Sequence, residues 1–159
     1  MDPALEFQRR CAHDRGDDTL CLPGWSVDDW RALFAHGTPV QVASGNIAIR
    51  HGERERALYF VISGALEARS STRGSETLGV LYREHPGSVF GEVAFFDGGP
   101  RSASVWAVKD SRLLRLDHGA LQAFGMERSE RASEFLFALG RVLAFRLRRG
   151  EQRTLQDTH

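Results

Sequence analysis

The sequence predicts a mainly β domain, an antiparallel sandwich or barrel with helices at its ends. Two observations carry this. From Thr38 to about Leu116, short runs rich in Val, Ile, Phe and Leu alternate with turn clusters, at the spacing of about 8–12 residues typical of antiparallel β bodies. After Asp117 the apolar spacing lengthens to a helical period.

The elements follow in order. Residues 1–24 form an N-terminal segment, polar and without a clear period. Ser26 with Asp29 reads as a capping box, which starts a helix running through Trp30 to Phe34. The turn clusters are Ser44-Gly45-Asn46, His51-Gly52-Glu53, Ser63-Gly64, Arg73-Gly74-Ser75, His85-Pro86-Gly87-Ser88, Asp97-Gly98-Gly99-Pro100 and Lys109-Asp110-Ser111. Between them the best strands are 58–62, 77–82, 103–108 and 112–116. Asp117 can cap a short helix from His118 to Phe124. A longer helix covers 129–149, with Ala132, Leu136, Leu139, Leu143 and Leu147 on one stripe beside Phe135 and Val142. Phe137, Ala138, Ala144 and Phe145 give it a second apolar face, so it needs two partners. Its basic end, Arg141, Arg146, Arg148, Arg149 and Arg153, reads as a solvated face complementing the helix C-terminus. The division is therefore 1–24, a domain over 25–149 (β body 38–116, helices 117–149), and a tail over 150–159.

Composition narrows the function classes. With 21 Lys+Arg against 21 Asp+Glu the formal charge is zero, which argues against nucleic acid or anionic membrane as a bulk electrostatic partner. No apolar run is long enough to span a bilayer, and the first residues resemble no signal peptide; the expected location is the cytoplasm. Two cysteines, Cys11 and Cys21, make neither a disulfide framework nor a zinc site, and no metal is expected. No nucleophile motif is present, so the chain is not expected to be an enzyme. The three tryptophans, Trp25, Trp30 and Trp106, read as core or interface residues.

The chemistry sits between Phe90 and Ala103. Gly91 lacks a Cβ, so a ligand can approach the backbone there. Glu92, Val93 and Ala94 could form one helical turn whose free N–H groups face an anion. Arg101 follows a rigid Gly-Gly-Pro turn and can fork onto two phosphate oxygens, with the Ser102 hydroxyl beside it. A carboxylate at Glu92 would repel phosphate, but it suits a ribose hydroxyl. A phosphate held next to a ribose hydroxyl is what a 3′,5′-cyclic nucleotide presents.

The segment FGEVAF, FDGG, PRSA resembles the phosphate-binding cassette of cyclic nucleotide-binding domains, whose pattern is F-G-E-[LI]-A-L, a short turn, then P-R-[AST]-A. Leu58-Tyr59-Phe60-Val61-Ile62-Ser63-Gly64, the Gly52-Glu53 turn (Gly-Asp in the family) and residues 110–116 resemble its flanking motifs, so the likeness spans roughly 25–149. The resemblance implies an antiparallel double-stranded β-roll, jelly-roll-like, with an N-terminal helix and two C-terminal helices. It implies that Glu92 bonds the ribose 2′-hydroxyl and Arg101 pairs the phosphate. Gly91, Val93, Ala94 and Ala103 would offer backbone groups, and Ser102 would contact phosphate. The base would rest among Val80, Tyr82, Phe145 and Leu147. The ligand is expected to be cAMP, with cGMP open, and no other cofactor is expected.

Transcription factors of this family carry a DNA-reading domain after the long helix, and only about ten residues follow Arg149 here. The expectation is thus a cyclic-nucleotide sensor that signals through its last helix to a separate effector protein, with homodimerisation along that helix. Two alternatives stand beside it. One is a degenerate scaffold of the same fold. The other is a cupin-type metal enzyme, which His51 suggests faintly and which Ile49 and Ala57 at the other ligand positions disfavour.

Overall fold

A computed structural model describes residues 1–11, 18–69 and 80–156. The Arg73-Gly74-Ser75 turn, the first part of the 77–82 strand and the last three residues of the tail lie outside the described residues. The elements are α1 (Pro3–Cys11), α2 (Val27–Phe34), β1 (Thr38–Val42), β2 (Ile47–Ile49), β3 (Ala57–Ser63), β4 (Leu66–Arg69), β5 (Val80–Glu84), β6 (Val89–Phe90), α3 (Glu92–Asp97), β7 (Ser104–Ala107), β8 (Ser111–Asp117), α4 (His118–Glu127) and α5 (Ser129–Gln156).

The strands form two four-stranded sheets of order β1-β8-β3-β6 and β2-β7-β4-β5, with antiparallel pairing throughout. This is the expected β-roll. Strand β3 explains its own unbroken apolar sequence. Leu58, Phe60 and Ile62 face the helices, whereas Ala57, Tyr59 and Val61 face the roll interior. Successive side chains of a strand point to opposite faces, and both faces of this one are covered. Across from it, Leu114 and Leu116 of β8 turn to the helix side and Leu113 to the roll side.

The expected caps form. The Ser26 hydroxyl accepts from the Asp29 N–H while the Asp29 carboxylate accepts from the Ser26 N–H. Asp117 accepts from the Ala120 N–H at 2.7 Å. The N-terminal segment differs from expectation. Asp2 accepts from the Ala4 N–H and opens α1, whose Ala4, Phe7 and Cys11 are buried. Phe7 packs against Trp30, Phe34 and Phe60 at ring separations of 5.1–5.6 Å. The three buried residues stand three and four apart, one face of a helix, but a single short turn pattern among arginines gives a weak periodic signal. Cys11 is enclosed in this core, and burial pushes its thiol up to about 12, away from the reactive thiolate. Trp25 and Trp30 are also buried there.

Helix α5 buries Ala132, Phe135, Leu139 and Val142 against the helix-side core. Leu136 and Leu147 of the expected stripe are exposed instead, as is Phe137 at 81%. Arg146, expected in solvent, is 6% exposed. The buried stripe runs through Phe135 and Val142, and Arg146 lies one turn beyond Val142 on it.

Candidate functional site

Gly91 follows β6 in the left-handed region, φ +87°, and serves as the N-cap of α3. A Cβ there would meet Arg101 Nη1 at 2.6 Å and the Ala57 carbonyl at 3.0 Å. Only glycine permits both that backbone conformation and that closeness. The N–H groups of Glu92, Val93 and Ala94 belong to the first turn of α3, which the helix itself leaves unpartnered. The segment after the Gly98-Gly99-Pro100 turn is pinned by reciprocal backbone bonds: the Gly52 N–H to the Arg101 carbonyl at 2.9 Å and the Arg101 N–H to the Glu53 carbonyl at 2.8 Å.

The Arg101 side chain is 2% exposed. Nη1 donates to the Gly91 carbonyl at 3.0 Å and Nη2 to the Ala57 carbonyl at 2.9 Å, with Glu55 3.4 Å away. Its guanidinium lies over the Tyr59 ring at 5.9 Å. Burial raises the Glu55 carboxyl, but its bonds from Arg115 and Tyr59, together with Arg101, hold it below the usual carboxylate range. Arg101 Nε is buried with no hydrogen-bond partner. A buried unmatched N–H on a cation is costly, and an anion beside it would remove that cost.

Glu92 is 6% exposed and faces the same cavity. It does not pair with Arg101. Its partner is Arg146 Nη1 at 3.0 Å. Arg146 also donates to Asp18 at 2.8 Å, to the Val89 carbonyl at 2.8 Å and to Glu84 at 3.0 Å. Burial opposes its charge, and Glu84, Glu92 and Asp18 more than offset that, so it stays protonated. Its guanidinium stands 5.5 Å from the Tyr82 ring centre, and that of Arg149 stands 4.9 Å away.

The cavity between these groups measures about 60 Å³. Gly91, Glu92, Val93, Ala94, Arg101, Ser102 and Ala103 all line it, so the structure brings every expected cassette residue together. Val93 and Ser102 are its exposed members. Of the four expected base contacts, Tyr82 lines the cavity; Val80, Phe145 and Leu147 are exposed and do not. The apolar wall is instead Ile49, Ala68, Phe90 and Val105. Arg146 and Glu84 complete the lining, and sequence reasoning missed both. The signals were present: Glu84 stands two residues after Tyr82 in one strand, on the same face, and Arg146 continues the buried stripe of α5. His51, the residue behind the cupin alternative, is exposed, and among the described residues no three His, Cys, Asp or Glu side chains cluster as a metal site.

The sequence model of the cyclic nucleotide-binding domain matches residues 39–128. The chain belongs to the cyclic nucleotide-binding domain family. A CRP-like cAMP-activated global transcriptional regulator of Mycobacterium tuberculosis is 35% identical over 119 residues, 74% of this chain and 50% of that protein. The chain thus spans about half the length of this relative. The crystal structure of the catabolite activator protein of Thermus thermophilus superposes with a TM-score of 0.73 at 28% identity, over 85% of this chain and 61% of that one. A cyclic nucleotide-binding domain from Methylobacillus flagellatus gives 0.79 at 20% identity, over 99% and 83%, a likeness of fold. Within this cyclic nucleotide-binding domain the matched region contains the whole Phe90–Ala103 cassette, and α5 with Arg146 lies beyond it.

Proposed function

We propose that the chain is a cyclic-nucleotide sensor that binds cAMP in the cavity between α3 and α5 and signals through α5 to a separate effector protein. The observation that carries this reading is the pairing, in one cavity, of a buried arginine with an unmatched Nε and a buried carboxylate. Arg101 takes the cyclic phosphate, beside Ser102 and the backbone of Gly91, Val93, Ala94 and Ala103. Glu92 accepts the ribose 2′-hydroxyl, and the base lies toward Tyr82. The cAMP dependence in the mycobacterial relative's name supports cAMP over cGMP. The direct contact of Arg146 with Glu92 supports α5 as the output, because a ribose reaching Glu92 meets that helix first.

Calorimetric titration with cAMP and cGMP side by side tests the reading. Micromolar or tighter binding of one of them is expected, and no heat with either overturns it. Glu92→Ala is expected to weaken cAMP about tenfold, about the strength of one hydrogen bond, while leaving the 2′-deoxy analogue nearly unchanged; equal losses for both ligands would remove the ribose role. The small volume of the cavity favours one other reading, a scaffold of this fold that binds nothing. A melting temperature unmoved by cAMP and cGMP would establish it.

Homodimerisation along α5 is part of the proposal. Leu136, Gly140, Leu143 and Leu147 stand four, three and four apart, a single seam. Leu147 is 63% exposed, and the Cα of Gly140 faces open space. Leu136→Asp with Leu147→Asp is expected to leave a folded monomer by light scattering; a persisting dimer places the interface elsewhere.

A further inference from the structure

Resting on the reading above, we propose that Glu84 is a proton-linked residue of the nucleotide site: an incoming cyclic monophosphate brings a proton onto this carboxylate. Arg146 is a crowded cation. Three carboxylates, from Asp18, Glu84 and Glu92, converge on the single buried guanidinium of Arg146. Arg149, more exposed, reaches only Asp18 of the three. On the cavity wall itself Arg101 and Arg146 balance Glu84 and Glu92, so an entering anion leaves the site net negative.

Glu84 is the carboxylate with the least water, 2% exposed at the end of β5. Arg146 faces it from α5 with Nη2 at 3.0 and 3.2 Å from its two oxygens. Glu92 faces it from α3, Asp18 from the segment before α2, and the Ser88 hydroxyl from the turn before β6, while its partner across on β4 is the apolar Leu66. Burial raises its carboxyl first. Arg146 and Ser88 oppose that, Glu92 and Asp18 add to it, and the result is about 7. The group is thus poised near neutrality, and a further negative charge decides its state. Glu84 has the least water of the three, so the proton falls to it.

The sign does not depend on what Arg146 does. If Arg146 stays, the phosphate adds an anion to the cavity that Glu84 lines. If Arg146 withdraws as the ribose takes Glu92, Glu84 loses its cation in a buried place. Both changes favour the protonated acid. Nucleotide affinity therefore falls as pH rises above about 7, by up to tenfold per unit for one proton taken up. Below about pH 6 the group is already protonated and affinity is flat. His85, next in the chain, is exposed with its ring toward the Pro86 carbonyl, outside the cavity lining.

The test is calorimetric titration of the full chain with cAMP and cGMP at pH 6 and pH 8, repeated at pH 8 in two buffers of different ionisation enthalpy. The wild-type chain should bind up to tenfold more weakly at pH 8 and take up close to one proton there. Glu84→Gln, which fixes the neutral form and keeps an oxygen for Arg146, should bind at pH 8 as tightly as the wild type at pH 6, without proton uptake. Proton-neutral binding by the wild type at both pH values overturns the proposal with no variant needed. Undiminished uptake in a folded Glu84→Gln chain overturns it equally. A wild-type chain that binds neither nucleotide removes the underlying reading, a different result from binding without protons.

Discussion

Arg101→Ala is expected to reduce affinity for cyclic nucleotide by one to two orders of magnitude. A hydrogen bond to a charged group contributes roughly 1.5–3 kcal/mol, and this arginine is placed for more than one. The variant carries a second cost in the folded chain. The Ala57 carbonyl would lose its Nη2 donor and the Gly91 carbonyl would keep only the Phe95 N–H, and a buried acceptor left unmatched costs about 1–3 kcal/mol. Calorimetry must therefore be run well below the variant's melting temperature. Arg101→Lys separates charge from shape. A lysine keeps the cation but lacks the planar fork, so it should restore part of the affinity and little of the two carbonyl bonds. Unchanged affinity in a folded Arg101→Ala chain would end the phosphate assignment.

Gly91→Ala should have an effect at least as large, although it deletes nothing. At φ +87° an L side chain costs about 1–2 kcal/mol, and the new methyl would stand 2.6 Å from Arg101 Nη1 and 3.0 Å from the Ala57 carbonyl. The guanidinium can retreat only by giving up the carbonyls that aim it. Loss of nucleotide binding together with a lowered melting temperature is expected. Gly24→Ala is the matched control, since a Cβ there meets nothing within 4 Å; it should change neither quantity. Full affinity in Gly91→Ala would mean that the close approach of arginine and backbone is dispensable.

The cassette was legible because its chemistry is local. Gly91, Glu92, Arg101 and Ser102 lie within twelve residues of sequence, and each residue type is restricted by what it must do. The roll was legible for a related reason: turn residues at short spacing leave little else for the intervening apolar runs to become. Three features were only weakly legible, and each depends on contacts distant in sequence. Phe7 reaches Trp30 and Phe60 only after α1 has folded back on β3. Arg146 is buried because Glu84, Glu92 and Asp18 meet it from other elements, and an arginine among arginines at a helix end resembles a solvated one. Phe145 and Leu147 lie exposed because the rotation of α5 is set by Phe135, Leu139 and Val142 entering the core.

Strand β3 has a consequence for how this sequence can drift. It is a party wall between two rooms, with the helices leaning on Phe60 from one side and Arg101 held against Tyr59 and the Ala57 carbonyl on the other. A change of bulk at any of these neighbours moves plaster in both rooms, so ligand grip and helix seating are tuned together here or not at all.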